Sequence, residues 1–177
     1  MITEAKFNRL SIAVRDFEKC IEFAEEAKGH SQSSLAYEAI VFAAIVCYYR
    51  PFSPNERGPA EATSKLELGD FGNLTAPEIE LHEKCKELRN KAIAHSEYKY
   101  NPTRLDTSSG VIATMPFSLA QHEPNLAALS TLARKLAEEC HHMRADYVCS
   151  RRNSAGLESV PGTNPDGKRT SARANST

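Results

Sequence analysis

A chain of 177 residues is long enough for one domain with a substantial core, and a net charge of −1 excludes a broad basic face of the nucleic-acid-binding kind. The five cysteines, at positions 20, 47, 85, 140 and 149, are odd in number and hold no Cys-x-x-Cys pair, which excludes a disulfide framework and suits free thiols in a reduced compartment. The opening residues Met-Ile-Thr-Glu-Ala-Lys carry no signal-peptide pattern, and the longest apolar run, Ala39 to Tyr49, is short for a bilayer, so a cytoplasmic protein without membrane contact is expected.

The first helix is predicted from about Thr3 to Lys28. Phe7, Leu10, Val14, Phe17, Ile21 and Ala24 step 3-4-3-4-3, a seam that faces a partner helix, and Gly29 ends it. Ser31, Ser33 or Ser34 can cap a second helix reaching about Tyr49. From Leu35 to Cys47 that helix has almost no polar side, which places it in the middle of a bundle or under a dimer interface. Pro51 and Pro54 stop it, and residues 50–74 form a long connection rich in Pro, Gly, Asn and Ser.

Thr75-Ala76-Pro77-Glu78 is a capping box with proline in the first turn, the clearest helix start in the chain. Leu81, Cys85, Leu88, Ala92 and His95 then step along one stripe. Residues 99–120 read as irregular, with Val111 to Phe117 either a short strand or an extended strap. A fourth helix follows from near Pro124 to about Cys149, with Leu129, Leu132, Leu136, Cys140, Met143 and Tyr147 as its seam. Four such helices predict an all-α fold, an antiparallel four-helix bundle over residues 1–149. Residues 150–177 are too polar to bury a core and read as a disordered tail. Arg151, Arg152, Lys168, Arg169 and Arg173 against Glu158 and Asp166 give that tail +3, leaving −4 for the body.

Within the acidic body one stretch is basic. Lys84, Lys86, Arg89, Lys91, Lys99 and Arg104 stand against Glu87 and Glu97. It contains Arg89-Asn90-Lys91-Ala92-Ile93-Ala94-His95, a permanent cation six residues before an imidazole. Arginine can hold two phosphate oxygens at once, and histidine titrates near neutrality and can move a proton. Together they suit cleavage of an RNA phosphodiester by its own 2′-hydroxyl, with no metal and no cofactor. On a straight helix the two residues differ by about 120° and lie about 9 Å apart along the axis, so they bracket one patch only if the helix unwinds near His95 or a second protomer packs there. Asn90 and Lys91 beside the arginine, and Ser96 and Tyr98 beyond the histidine, are the candidate substrate contacts.

Other features carry blander readings. Arg134 and His141 repeat the Arg/His pairing seven residues apart, on one face of the fourth helix, and read as surface groups. Cys140-His141-His142 lacks further ligands at metal-binding spacing, so no metal site is predicted. His82 reads as a surface histidine on the helix flank below Arg89. Tyr48-Tyr49-Arg50 reads as aromatic closure of a bundle end.

The segment Leu88-Arg89-Asn90-Lys91-Ala92-Ile93-Ala94-His95-Ser96, with the helical layout around it, resembles the HEPN superfamily of small helical bundles, many of them metal-independent RNases of toxin–antitoxin, abortive-infection and CRISPR systems. The family signature is Arg, four to six residues, then His, with a polar residue often following the Arg. Asn90 occupies that polar place. The resemblance implies a two-fold homodimer with a shared cleft, RNA as substrate, Arg89 and His95 as catalytic residues, and an antitoxin or nucleotidyltransferase as a possible partner. In some members a Tyr two residues after the His is modified by that partner. Here that place holds Glu97 and the tyrosine falls one later, at Tyr98. Family members without activity imply an alternative, an inactive helical module that binds a nucleotide or a protein.

Overall fold

The structure, a computed structural model, describes residues 2–54, 65–93, 103–114 and 119–157. It is mostly helical. Helix α1 spans Glu4–Glu26 and ends in a 3-10 turn at Ala27–Gly29. Helix α2 spans Leu35–Tyr49, followed by a 3-10 turn at Arg50–Phe52. Helix α3 spans Ala76–Glu87 and passes into a π-helical turn at Leu88–Ile93. A hairpin of β1 (Thr103–Asp106) and β2 (Val111–Thr114) precedes the one-turn helix α4 (Leu119–His122) and the long helix α5 (Leu126–Leu157).

The helix starts follow their local chemistry. Thr3 caps α1 by accepting from the Lys6 amide, and Ser34, rather than Ser31 or Ser33, caps α2 by accepting from the Tyr37 amide. Thr75 and Glu78 form the capping box of α3 in both directions.

Helix α1 is the element on which α2 and α5 pack. Phe7 stacks on Tyr147 with ring centroids 5.0 Å apart, while Ser130 Oγ donates to Glu25 at 3.4 Å. These two pairs fix α1 and α5 as running in opposite directions. Leu10, Val14, Phe17 and Ala24 of the predicted seam are buried, with Phe7 and Ile21 half-buried at its edge. Arg9, Ala13, Asp16 and Cys20 are buried as well, because α2 covers a second side of α1. On α5 the seam Leu129, Leu132, Leu136 and Cys140 is buried.

Two boundaries differ from the sequence expectation. Residues 103–114 form an antiparallel hairpin, in register Thr103↔Thr114 through Asp106↔Val111, where irregular chain was expected up to Val111. Gly110, at φ 69°, supplies the left-handed residue that its turn requires. Helix α5 begins after Pro124 and continues past Cys149 to Leu157. Nothing between Ser150 and Ala155 breaks a helix, and Arg151 lies over the Tyr147 ring at 6.0 Å, so polarity alone did not end it. The rest of the predicted tail, 158–177, lies outside the described residues.

The stretch Leu35–Phe52 reaches a mean hydropathy of 1.3 over 18 residues, enough by length and composition to match a membrane span; half of it is buried inside this fold. The sequence run Ala39 to Tyr49 underestimated it because Leu35 and the 3-10 turn extend the apolar surface. Cys20, Cys47, Cys85 and Cys140 are buried free thiols, and Cys149 is exposed. Burial pushes the Cys85 and Cys140 thiols up to about 12, so they stay protonated and act as small apolar groups.

The turn after α2 is held by one buried side chain. Arg9 Nη2 donates to the carbonyls of Arg50, Pro51 and Ser53 at 2.8, 2.8 and 3.2 Å. Those carbonyls lie where the helix has ended; the Arg50 and Pro51 carbonyls also accept the Ser53 and Leu66 amides at 3.1 and 2.9 Å, and the charged donor adds to these and reaches the Ser53 carbonyl as well. Arg9→Met keeps the aliphatic stem and removes the donors, and should lower unfolding free energy by about 2–4 kcal/mol in urea titration. A loss below about 0.5 kcal/mol would show that the carbonyls find water instead.

Candidate functional site

The motif region lies where α3 loses its α-helical winding. Leu81 is half-buried and Cys85 and Leu88 are buried, so the predicted stripe holds through Leu88. Arg89, Asn90 and Lys91 then sit on the π-helical turn, each half-buried. A π turn takes an extra residue per turn, so side chains beyond Leu88 leave the α-helical phase. His95, Ser96 and Tyr98 lie outside the described residues.

Arg89 Nη1 donates to Asn90 Oδ1 at 2.9 Å. Among the described residues no carboxylate forms an ion pair with Arg89. Its neighbours are more committed. Lys84 Nζ donates to the Glu123 carbonyl at 2.8 Å, and Lys86 Nζ pairs with Glu83 at 2.7 Å. A neutral amide oxygen orients a guanidinium without cancelling its charge, leaving that charge for an anion. Beside the turn runs an open groove lined by Glu80, Glu83, Lys84, Lys86, Glu87, Asn90 and Lys91. Its three carboxylates offset its three ammonium groups.

His82 is not the surface residue expected. It is 4% exposed and enclosed by aromatic rings. Its ring centroid is 4.6 Å from Phe52 (edge-on), 5.5 Å from Tyr49 and 5.9 Å from Tyr48. Nδ1 shares a 3.1 Å hydrogen bond with the Tyr48 hydroxyl. The physical reason is helix phase: His82 lies three residues before buried Cys85 and next to Leu81, at the edge of the stripe facing α2. That spacing was the available signal, together with the paired tyrosines at the end of α2.

His82 and Arg89 are seven residues apart, which places them on one side of α3 up to the π turn. Tyr49 packs its ring on His82, and its phenol lies within the electrostatic reach of Arg89. Burial pushes its phenol up, Glu83 adds to this, and Lys86, Lys65 and Arg89 oppose it. Tyr48 and Tyr49 are thus packed into the interior, closing the end of α2 as expected, and are not free to stack a base.

The remaining candidates do not assemble. Arg134, His141 and His142 are exposed on α5, with Cys140 buried beneath them. Among the described residues no group of three His, Cys, Asp or Glu side chains is placed to hold a metal ion. No family model, curated protein or solved structure matches this chain.

The enclosure of His82 sets a pH dependence. Desolvation holds its imidazole below the ordinary 6.5, with Glu83 opposing and Lys86 reinforcing the shift. Above that value the ring is neutral in folded and unfolded chains alike. As pH falls through 6.5 the unfolded chain takes up a proton that the folded chain refuses, so stability falls until the folded value is reached. Urea unfolding at pH 7, 6 and 5 should show this loss in the native protein, and His82→Leu should show a shallower one. Parallel profiles would mean that the imidazole is protonated in place.

Proposed function

We propose that the Arg89–His95 segment is the working site of a metal-independent endoribonuclease, as its resemblance to the HEPN motif implies. The observation that carries this reading is the state of Arg89: half-buried on a π-helical turn, oriented by an amide and paired with no carboxylate among the described residues. π turns are frequent at functional sites because they lift side chains out of the regular helix phase.

In the proposed reaction the 2′-oxygen attacks the adjacent phosphorus and the bond to the 5′-oxygen breaks. His95 takes the proton from the 2′-hydroxyl and returns one to the departing 5′-oxygen. Arg89 holds the non-bridging oxygens as negative charge grows on them. The products are a 2′,3′-cyclic phosphate and a 5′-hydroxyl end. Asn90 orients Arg89, and Lys91, Ser96 and Tyr98 contact the strand. On this reading the helices form an antiparallel HEPN-like bundle, and two protomers related by a two-fold axis share one cleft in the cytoplasm. An antitoxin or nucleotidyltransferase partner would act by covering that cleft.

The groove beside Arg89 favours a second reading. Glu80, Glu83 and Glu87 alternate with Lys84, Lys86 and Lys91, a mixed pattern that suits a protein surface better than a uniform polyanion. In that case the fold is an inactive module in which Arg89 anchors a protein or nucleotide.

Cleavage of labelled RNA in a metal-free buffer separates the two. His95→Ala should lower the rate by about 10²–10⁴-fold, and Arg89→Ala by about 10²–10³-fold, with unchanged circular dichroism. Equal cleavage by native protein and His95→Ala would overturn the nuclease reading. No cleavage by folded native protein would leave the binding module.

A further inference from the structure

We propose that the cleft between α1 and α5, on residues distinct from the Arg89 region, binds a phosphomonoester. It is lined by Asn8, Ser11, Ile12, Arg15 and Glu18 of α1 and by Arg144 of α5.

Arg144 is prepared for an anion. Its guanidinium lies 5.6 Å from the Phe7 ring centroid, and Phe7 is itself stacked on Tyr147. Stacking fixes the plane of the guanidinium while leaving its N–H edges in that plane, so less freedom is lost when a ligand is held. Nε is buried without a hydrogen-bond partner. Among the described residues no carboxylate pairs with Arg144, although a desolvated donor of this kind favours an acceptor oxygen.

Arg15 faces the same cleft from α1. The other basic side chains near it are engaged: Lys6 with Asp70, Lys19 with Glu22, and Arg9 with three carbonyls. Arg15 has no such acceptor among the described residues. Two guanidiniums from two helices therefore converge on one cleft, with the exposed Asn8 amide as a further donor. Ser11 contributes only an acceptor, since its hydroxyl already donates to the Phe7 carbonyl at 2.9 Å.

The charge pattern selects the ligand. Arg15 and Arg144 against Glu18 leave a net +1, and a compact dianion with three terminal oxygens brings more charge and more acceptor sites to the two forks than a single carboxylate does. Ile12 is 50% exposed and buried Val14 also lines the cleft, giving an apolar strip beside the cations for the organic part of the ester. Val148, 38% exposed, lies one helical turn beyond Arg144 on α5. Arg151 and Arg152, exposed further along α5, add positive potential.

Adenosine monophosphate, with adenosine as control, is a sufficient probe for the full chain at low ionic strength. Titration followed by amide NMR and calorimetry should give saturable binding with Kd on the order of 1 mM or tighter, with shifts centred on residues 8–18 and 144. Adenosine should give none. Arg15→Gln and Arg144→Gln should each weaken binding about tenfold or more, and Glu18→Gln should strengthen it. Arg144→Lys retains the charge without the fork and should fall between native and Arg144→Gln. The shifts at residues 8–18 and 144 should persist in Arg89→Ala, which separates this cleft from any nucleotide bound at the α3 site. Native-like affinity in folded Arg15→Gln and Arg144→Gln would overturn the proposal. Equal binding of adenosine, or loss of binding only in Arg89→Ala, would do the same.

Discussion

The fold depends on how the chain leaves α2. Three carbonyls, those of Arg50, Pro51 and Ser53, must be satisfied where the helix has ended, and Phe52 must be turned inward at the same point. Arg9 does the first from inside α1, together with the Ser53 and Leu66 amides. The second follows, because the pinned turn directs Phe52 between Phe17, Tyr48, Phe71 and His82 at centroid distances of 4.6 to 6.0 Å. One cation thereby joins α1, α2, the connection before α3 and α3 itself. Asp16, one face along from Arg9, is the costlier half of the arrangement: burial pushes its carboxyl up against the opposing pull of Arg50 and Arg9, and Oδ2 is buried without a partner. It is retained beside Arg50, whose guanidinium donates to it at 2.8 Å and so fixes the outer side of the same turn.

This core also explains the posture of α3. His82 is drawn under the end of α2 by the aromatic box, and Lys135 of α5 holds the capping-box carboxylate of Glu78 at 3.0 Å while its ammonium also donates to the Asn73 carbonyl at 2.9 Å. Glu139 receives the Gly72 amide a turn further on. The first two turns of α3 are therefore held on two sides. From Leu88 on the chain stays against α2 while the winding widens, and Arg89 lies half-buried on that turn. The candidate site lies at the end of the constrained part of α3, where a side chain can be oriented without being sealed.

Much of this was legible in the sequence wherever a local rule was strong. The Thr75–Glu78 box, the Pro51 stop and the α1 and α5 seams depend on residues within a turn of each other, and the helix starts fall where that chemistry puts them. The misses have separate causes. His82 reads as a flank residue until α2 is placed above it. A π turn has no residue signature that separates Leu88–Ile93 from ordinary helix, since Leu, Arg, Lys and Ala favour both. Helix α5 outran its expected end because exposed polar residues were equated with lack of order, although helices tolerate them where no breaker intervenes. At the candidate site, Arg89, Asn90 and Lys91 are singled out by the motif spacing together with its resemblance to HEPN proteins, and neither shows that Arg89 is held by a neutral partner.

Net charge proved the least informative number of all. A balance of −1 describes a chain whose cations are mostly occupied: lysines of α1 and α3 pair with carboxylates a turn away or with carbonyls. Lack of such a partner is not by itself the mark of a site: among the described residues Arg104, Arg134 and Arg152 lack one as well as Arg15, Arg89 and Arg144. What sets the last three apart is place, Arg15 and Arg144 lining one cleft and Arg89 lying half-buried on the π turn, together with a fork shaped for oxyanions. The lysines find carboxylates both a turn away, as Lys19, Lys28 and Lys86 do, and across the fold, as Lys6 and Lys135 do. The acidic average of the body is thus compatible with discrete anion-handling points, because paired charges cancel over a few ångströms while an oriented, unpaired guanidinium keeps its field in the half-buried notch where it sits.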